Sequence, residues 1–371
     1  MVPHVGGRCA LRQWCSLELM LLEENKPLAP FTTFGIGGPA RWFVEASSEE
    51  EIAEAAAWAE ERRVALFVLG GGSNLLVSDT GFNGLVLRVG LRGIAAMNAH
   101  GEPSHKIYQA AAGEEWDNFL EQTIKDGCAG LECLAGIPGT VGGTPVQNVG
   151  AYGQEVASVI ERVRAYDLRE YRFVEFTAAE CGFAYRRSRF NSKDRGRYII
   201  TRVDYRLKPG GAPTLRYAEL QRAFPKAVQP SLAEVAVQVR RIRQAKGMLL
   251  VEGDPDCRSA GSFFKNPTLS EEQFRKIAAA NEDKPPSFPP SPDNKKRGMV
   301  KIPAAWLIEQ AGFSKGYARG KAAISSRHTL ALVNRGGASA ADVLALAGQI
   351  TAAVEERFGI RLEMEPVLVG F

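Results

Sequence analysis

The sequence offers few of the residues from which metal centres and redox-active thiol sites are built. Its 371 residues include 6 cysteines and 4 histidines, and no two cysteines form a CxxC pair. Zinc sites and thiol redox motifs depend on such spacing. We therefore expect no metal ion, and we interpret the cysteines as reduced, structural thiols of a cytoplasmic protein.

A large excess of one charge is also missing. The chain has 46 basic and 42 acidic residues, for a net charge of +4. This balance does not indicate a nucleic-acid-binding surface, and it suits a small anionic ligand equally well. The composition, 45% hydrophobic and 24% charged, is typical of an ordinary globular protein. The length predicts two or three domains.

Long hydrophobic runs and internal repeats are absent from the sequence as well. No stretch approaches the roughly 20 apolar residues that span a membrane. Near the N-terminus, the apolar stretch LELMLL is short and is followed by Glu23 and Glu24, which is unlike a secretory signal. We interpret residues 1–26 as an accessory N-terminal extension.

The most informative stretch that is present is LFVLGGGSNLLVSD, residues 66–79. Its first four residues form an apolar run that is typical of a strand buried on both faces. Gly70–Gly72 follow at once, and glycine allows backbone angles and ligand approaches that other residues prevent. Ser73 and Asn74 add short polar side chains. The stretch predicts a nest of N–H donors suited to a pyrophosphate.

The two best-known phosphate motifs do not fit this turn. A Walker loop ends in Gly-Lys-Ser/Thr, whereas Asn74 is followed by Leu75. A Rossmann fingerprint requires a helix after the glycines, but LLVSDTGFNGLVLRV predicts two strands around a turn. A structural glycine turn without a ligand is the alternative, and only the neighbouring stretches argue against it.

Hydrophobic periodicity predicts a strand-helix-strand unit that ends in the glycine turn. The strand Arg41–Ala46 is followed by a capping box of Ser48 and Glu51, and by a helix whose Ile52 and neighbouring alanines share one face. The strand Val64–Leu69 completes the unit as a parallel crossover. Further predicted strands are Leu85–Val89, Lys106–Gly113, Val163–Leu168, Tyr171–Phe176, Tyr198–Leu207, His328–Asn334 and Arg361–Val369.

A glycine-rich loop and several helices complete the outline. The helix Glu114–Gly127 carries Trp116 at core spacing, and the loop 130–153 after it is long enough to be functional. A boundary near 208–213 precedes a helix that Ser231 and Glu234 cap with a capping box. The proline-rich piece 284–298 predicts a surface loop. The last predicted helices are Pro303–Ala311 and Ser339–Phe358.

Five motifs in this order carry a resemblance to a known family: GGGSNLLVSD, LAGIPGTVGGTPVQNVGAYG, FAYRRSRF, SAGSFFKNP and the ending LEMEPVLVG. From about Pro27 to its end, the chain resembles the UDP-N-acetylenolpyruvoylglucosamine reductase family of peptidoglycan precursor synthesis. The resemblance implies an α+β fold. It consists of an FAD-binding domain of the vanillyl-alcohol-oxidase type at 27–225, with two subdomains split near 90, and a C-terminal α/β substrate-binding domain at 226–371. The last strand would return to the FAD domain.

The resemblance also implies roles for individual residues. Reduced, non-covalently bound FAD would deliver a hydride to the methylene of a UDP-sugar enolpyruvyl ether, with NADPH as the reductant of the flavin, and the enzyme would be a monomer. The catalytic residues would be Ser262 as proton donor, Arg186 and Glu365. The cofactor-binding residues would be Gly70, Gly71, Gly72, Ser73, Asn74, Gly136, Gly139, Gly143 and Gly150. The substrate-binding residues would be Tyr152, Tyr185, Tyr217, Lys246, Asn266, Lys301 and Gln310.

Some assignments stay open at this point. Glu363 shares a strand face with Glu365 and could be the catalytic carboxylate instead. Lys246 is separated from the serine motif by a stretch that is shorter in many relatives, and Pro366 and Val367 stand where many members have Val-Arg. Two other functions remain as alternatives: a related flavoprotein oxidase or dehydrogenase, and a nucleotide-binding regulatory module without redox chemistry.

Overall fold

The computed structural model describes residues 21–99, 104–225, 229–281, 285–287 and 298–371. Its strands are β1 Glu23–Pro27, β2 Pro39–Ala46, β3 Ala65–Leu69, β4 Leu75–Val77, β5 Phe82–Val89, β6 Ile94–Asn98, β7 Lys106–Ala111, β8 Cys128–Ala129, β9 Gly150–Ala151, β10 Gln154–Glu155, β11 Ile160–Asp167, β12 Arg172–Thr177, β13 Tyr198–Pro209, β14 Thr268–Ser270, β15 Met299–Lys301, β16 Ala318–Arg319, β17 Ala322–Ile324, β18 Leu332–Asn334 and β19 Val367–Val369. Its helices are α1 Glu49–Glu61, α2 Trp116–Lys125, α3 Ala218–Ala223, α4 Leu232–Ala245, α5 Glu271–Ala279, α6 Ala304–Gln310 and α7 Ala340–Phe358.

The first sheet has the strand order β1-β2-β5-β3. Both β2 and β3 run parallel to β5. The helix α1 connects β2 to β3, so the predicted parallel crossover is present, and β5 lies between these two strands in the sheet. The strand β1 begins at Glu23, inside the stretch interpreted as an extension, and pairs with β2. Residues 1–20 of that extension lie outside the described residues.

The start of α1 differs in detail from the predicted capping box. The side chain of Ser48 accepts a hydrogen bond from the Glu51 amide at 3.2 Å, as predicted. The Glu51 carboxylate, however, accepts from the amide and hydroxyl of Ser47 rather than from Ser48. The reciprocal bond has therefore moved one residue towards the N-terminus. At α4 both halves of the predicted box are present, between Ser231 and Glu234.

The second sheet is antiparallel, with the strand order β12-β11-β13-β7-β6 and the short β8 paired to the end of β13. One hydrophobic core contains buried residues of this sheet, of the first sheet and of α1, α2 and α4. Its largest side chains include Tyr108, Trp116, Phe119 and Tyr205, all buried. Trp116 is thus a core residue, as its spacing predicts.

The C-terminal part has its own core. The two-stranded sheet β14–β15 and the three-stranded sheet β16–β17–β18 pack with α5, α6 and α7 around a second hydrophobic cluster. Phe34 and Leu76 from the N-terminal half belong to this cluster. The division expected between residues 225 and 226 stays a prediction, since residues 226–228 lie outside the described part of the chain. The same holds for most of the predicted proline-rich surface loop, 284–298.

The chain ends by returning to the glycine turn. The last strand, β19, pairs in parallel with β4, which directly follows that turn. The two strands predicted around a turn in LLVSDTGFNGLVLRV are both present, as β4 and β5, but they do not pair with each other. The strand β5 lies in the first sheet, whereas β4 pairs with the chain end. This return brings the C-terminal carboxylates next to the turn.

Two strand predictions in the C-terminal part were several residues too long. Only Leu332–Asn334 of the predicted His328–Asn334 is a strand, because the amide of His328 bonds to the Ser325 hydroxyl at 3.2 Å in a turn. Of Arg361–Val369, only the last three residues form β19, and an isolated bridge joins Met364 to Phe264. Apolar pattern alone does not reveal where a partner strand ends. None of the described helices is long and apolar enough to span a membrane.

Candidate functional site

A cavity of about 770 Å³ lies where the glycine turn, the glycine-rich loop and the C-terminal part meet. Ligand pockets of roughly 300–1,000 Å³ are typical of small-molecule and cofactor sites. Among the residues predicted for the site, those that line the cavity are Gly70, Gly71, Gly72, Ser73, Asn74, Gly139, Gly143, Gly150, Tyr152, Arg186, Tyr217, Lys246, Ser262 and Glu365. The remaining five, Gly136, Tyr185, Asn266, Lys301 and Gln310, are outside this lining.

The glycine turn brings three backbone segments into close contact. A Cβ at position 71 would lie 2.4 Å from the Cα of Gly139, and one at position 72 would lie 1.7 Å from the carbonyl oxygen of Phe31. Gly72 also has a φ of +63°, which other residues rarely adopt. The sequence predicts glycine here for ligand approach. The structure gives a more immediate reason, since larger residues would push the segments apart.

The amides of this turn form a suitable anion site. Among the described residues, the backbone N–H groups of Gly71, Gly72, Ser73 and Asn74 donate no hydrogen bond to the protein. Backbone donors beside a cavity need a partner, and a row of such N–H groups suits phosphate oxygens. The turn therefore fits the pyrophosphate of a dinucleotide such as FAD.

Asn74 connects the turn to the rest of the site. Its side-chain amide donates to Gln147 at 2.9 Å and to the carbonyl oxygen of Glu365 at 3.3 Å. Its own carbonyl oxygen accepts from the Val367 amide at 2.9 Å. The Asn74 side chain is thus engaged with protein and holds the C-terminal segment in position, which leaves its backbone amide for the predicted contact with the cofactor.

The backbone groups of Gly136 are also bonded to protein. Its amide donates to Asp117 at 2.7 Å, and its carbonyl oxygen accepts from Arg243 at 3.0 Å. Both backbone groups are therefore bonded to protein rather than turned to the cavity. Gly139, Gly143 and Gly150 line the cavity wall.

Arg186 and Glu365 form a partly buried ion pair inside the cavity, with 3.0 Å between Nε and Oε1. Arg186 has a left-handed φ of 53°, and its Nη2 donates to the carbonyl oxygen of Gly150 at 2.9 Å. Burial raises the pKa of Glu365 above its ordinary value, although Arg186 and Lys265 act in the opposite direction. The pair therefore combines a fixed cation with a carboxyl group that burial inclines to hold a proton.

Glu363 lies in a different environment from Glu365. The Glu365 side chain is 11% exposed, whereas the Glu363 side chain is 72% exposed and pairs with Lys265. Residues 263–265 run antiparallel to 363–365, with the Glu365 amide donating to the Phe263 carbonyl oxygen at 2.9 Å. The same segment carries Ser262 into the cavity. Of the two glutamates, Glu365 lines the cavity with Ser262 and Arg186.

Tyr185, Lys301 and Asn266 form a group behind Arg186. The Nζ of Lys301 lies 3.4 Å from the ring centroid of Tyr185, a cation–π contact. Burial and the charge of Arg186 lower the pKa of Lys301. The side-chain oxygen of Asn266 accepts from the Ala304 amide at 2.8 Å, which holds the first turn of α6. Gln310 lies at the other end of α6, where its carbonyl oxygen accepts from Arg357.

Tyr152, Tyr217 and Lys246 come together at another part of the cavity. The two rings pack edge to face, 5.3 Å apart, and the Nζ of Lys246 lies 5.8 Å from each ring centroid. Lys246 also forms an ion pair with Glu219 at 2.6 Å. Burial raises the pKa of Tyr152 to about 12, so its hydroxyl stays protonated.

Sequence reasoning missed Arg243 and His328, which also line the cavity. Arg243 is 6% exposed and bonds to the carbonyl oxygens of Gly136 and Met248. A signal for it existed, because Arg243 follows Val239 by four positions on the buried face of α4. Burial lowers the pKa of His328 to about 4, so the imidazole is neutral near pH 7. No motif in the sequence indicated this histidine.

Comparisons with known proteins agree with this arrangement. One family model, described as UDP-N-acetylenolpyruvoylglucosamine reductase, C-terminal domain, matches residues 254–369, and another, described as FAD binding domain, matches residues 40–169. The predicted fold class, with these two kinds of domain, is thereby confirmed.

Two relatives and one solved structure extend the match to most of the chain. The UDP-N-acetylenolpyruvoylglucosamine reductases of Streptomyces coelicolor and Thermobifida fusca are each 44% identical, over 96% and 94% of this chain and 92% and 98% of their own. The crystal structure of UDP-N-acetylenolpyruvylglucosamine reductase from Thermus caldophilus is 27% identical, with a TM-score of 0.64, and the match covers 94% of this chain and 99% of that one. The chain belongs to the UDP-N-acetylenolpyruvoylglucosamine reductase family.

Proposed function

We propose that this protein reduces UDP-N-acetylglucosamine enolpyruvate to UDP-N-acetylmuramate, with FAD as its cofactor and NADPH as the reductant. One observation carries the proposal. A single cavity joins the glycine turn, whose backbone amides bond to no other described residue, to the partly buried Arg186–Glu365 pair and to Ser262. Family membership supports the same reaction. An unrelated nucleotide-binding module would have no need for the charged pair.

The residues around the glycine turn would hold the cofactor. The amides of residues 71–74 would bind its pyrophosphate, and Gly139, Gly143 and Gly150 would line the wall along it. FAD, when bound and reduced by NADPH, would supply the hydride for the terminal methylene of the enolpyruvyl group. The protein contributes position and charge to this transfer.

Arg186 would neutralise the negative charge of the substrate. When the methylene carbon of the C=C bond takes the hydride, the electron pair of that bond moves to the adjacent carbon and its carboxylate. The hydrogen bond from the Nη2 of Arg186 to the carbonyl oxygen of Gly150 already holds the guanidinium in the cavity wall, whether Glu365 is ionised or protonated. Such preorganised electrostatic stabilisation is often the largest contribution to catalysis.

Glu365 would donate a hydrogen bond to the developing charge. It can do so only in its protonated form, and burial, which raises its pKa, favours that form. The carbonyl oxygen of the same residue accepts from Asn74, which fixes the backbone beneath the side chain.

Ser262 would then protonate the carbon that carries the electron pair, which completes the saturated product. A serine hydroxyl is a weak acid, but an enolate-type carbon is a strong base, and a positioned hydroxyl can serve as its proton source. Tyr152, Tyr185, Tyr217, Lys246, Asn266, Lys301 and Gln310 are proposed to bind the substrate. Arg243 is proposed to join them, since it reaches the cavity between Gly136 and Met248.

The four cysteines within the described residues are free thiols, which supports the proposed cytoplasmic location.

The test separates the two half-reactions. Purified protein should be yellow, NADPH should bleach the flavin under anaerobic conditions, and the enolpyruvyl sugar nucleotide should restore its colour. Ser262→Ala should keep the bleaching rate and slow reoxidation at least about a hundredfold.

Equal slowing of both half-reactions by Ser262→Ala would reject the role of the serine as proton donor. A wild-type flavoprotein that NADPH bleaches but the enolpyruvyl sugar does not reoxidise would reject the proposed reaction. That result would favour a flavoprotein oxidase or dehydrogenase acting on another substrate.

A further inference from the structure

Glu219 forms an ion pair with Lys246, the cation that a bound diphosphate would need. Their side chains meet at 2.6 Å, and each is 28% exposed. Lys246 follows the last turn of α4 and lines the cavity, whereas Glu219 lies in the first turn of α3 and is outside the cavity lining. The carboxylate therefore reaches the lysine from outside the wall.

Arg243, a second cation that lines the cavity, is already hydrogen-bonded to protein. Two guanidinium nitrogens of Arg243 donate to the carbonyl oxygens of Gly136 and Met248, at 3.0 and 2.6 Å. Lys246, in contrast, is held by one carboxylate at the surface of the cavity. Of these two cations, Lys246 therefore has fewer hydrogen bonds to protein to give up when it binds an anion.

Glu219 also lies close in sequence to a partly exposed aromatic side chain. Tyr217 lies two residues before it, is 39% exposed, and packs edge to face on Tyr152. The amino group of Lys246 lies within cation–π distance of both rings. Because Tyr217 directly precedes α3 and Glu219 lies in its first turn, breaking the Lys246–Glu219 ion pair would also alter the position of Tyr217.

We infer that Glu219 is a built-in competitor of the substrate diphosphate for Lys246, and that it sets the affinity of the site. The inference rests on the proposed function, because it assumes a nucleoside diphosphate at this wall. Binding would replace a carboxylate by a phosphate on the same amino group, so each binding event would include the loss of the Glu219 bond. The same competition would help to release a product that carries the same diphosphate.

The direction of the effect of Glu219→Gln distinguishes this role from a structural one. If Glu219 competes, Glu219→Gln should bind uridine 5′-diphosphate roughly two- to fivefold more tightly, because a partly exposed ion pair contributes a free energy of about this size. If Glu219 only positions Lys246, the same change should weaken binding. The measurement is the dissociation constant of uridine 5′-diphosphate, obtained by isothermal titration calorimetry of the oxidised holoenzyme.

Two further variants complete the test. Glu121→Gln makes the same change of charge at an ion pair with Arg240 on α4, outside the cavity, and should leave the dissociation constant unchanged. In a Lys246→Met background, Glu219→Gln should no longer tighten binding. Weaker or unchanged binding by Glu219→Gln, or tightening that persists without Lys246, overturns the inference.

The wild-type protein separates this inference from the proposed function. Holoenzyme that binds no uridine 5′-diphosphate and is not reoxidised by the enolpyruvyl sugar overturns the proposed function, and the inference with it. Wild-type turnover together with weaker binding by Glu219→Gln overturns the role of Glu219 alone.

Discussion

Replacing Arg327 by methionine should destabilise the C-terminal part and loosen one wall of the cavity. The Nη2 of Arg327 lies 2.5 Å from both carboxylate oxygens of Asp254, and its Nε lies 3.2 Å from Asp256. Its Nη1 donates to the carbonyl oxygen of Gln244 at the end of α4. The guanidinium thus links the segment around Arg327 and His328 to the end of α4 and to the segment 248–256 that follows it.

The magnitude follows from the burial of Asp256. Its side chain is 3% exposed, and it also accepts from the amide and hydroxyl of Ser326. Removing one partner of a buried pair costs about 3–5 kcal/mol, because a charge stays buried without compensation. Arg327 is 30% exposed, so water lowers that cost, and we expect about 2–3 kcal/mol. For a domain of this size the melting temperature should fall by roughly 5–10 °C.

The assay is thermal unfolding of holoenzyme at saturating FAD. The matched control is Arg335→Met, because Arg335 lies 3.9 Å from Asp256 and is 39% exposed, and we expect a shift below about 2 °C. The KM for the enolpyruvyl sugar should rise in the Arg327 variant, since Met248 and His328 line the cavity. Equal destabilisation by both changes, or a shift below about 2 °C for Arg327→Met, would refute the argument.

The pH dependence of the same variant adds a second check. In the wild type, burial raises the pKa of Asp256, but hydrogen bonds from Ser326 and Arg327 outweigh burial, and the net pKa is lowered. This contribution to stability is present above the ordinary pKa of aspartate and is lost as the pH falls through the lowered value. Without Arg327 the buried carboxylate should bind a proton more readily. The difference in melting temperature should therefore narrow as the pH falls from 7 towards 4, and a constant difference would contradict this account.

The remaining predictions concern the glycine turn and the two C-terminal glutamates. Gly71→Val should yield largely colourless protein, because a Cβ would collide with the Gly139 backbone and displace the turn, and full flavin content in the absorbance spectrum would reject this. Glu365→Ala should slow flavin reoxidation by the substrate at least about tenfold, with Glu365→Gln milder, whereas Glu363→Ala should change it less than about twofold because its side chain is exposed. A larger loss for the Glu363 variant would move the active-site assignment by two residues.

Local patterns predicted the elements that local physics controls. The helix after Ser231 has the predicted capping box, because a cap needs only the neighbouring chain. The strand before Gly70 and the parallel crossover followed from apolar runs and turn residues in the same way. The expected burial of that strand on both faces was wrong, because β3 is an edge strand in which only Leu69 is buried. At Glu51, where two serines compete for one carboxylate, the sequence predicted the wrong partner.

The sequence by itself determined the family, the two kinds of domain and a list of candidate residues, because these depend on motifs and their order. Only the tertiary structure separated Glu365 from Glu363. Two residues on one strand face look alike in sequence, and burial of one depends on Arg186, from a segment about halfway along the chain, and on β19 pairing with β4. Arg243 likewise lies at the cavity because Gly136 and Met248 meet there. Contacts between such distant segments decide which charges are buried, and burial decides their chemistry.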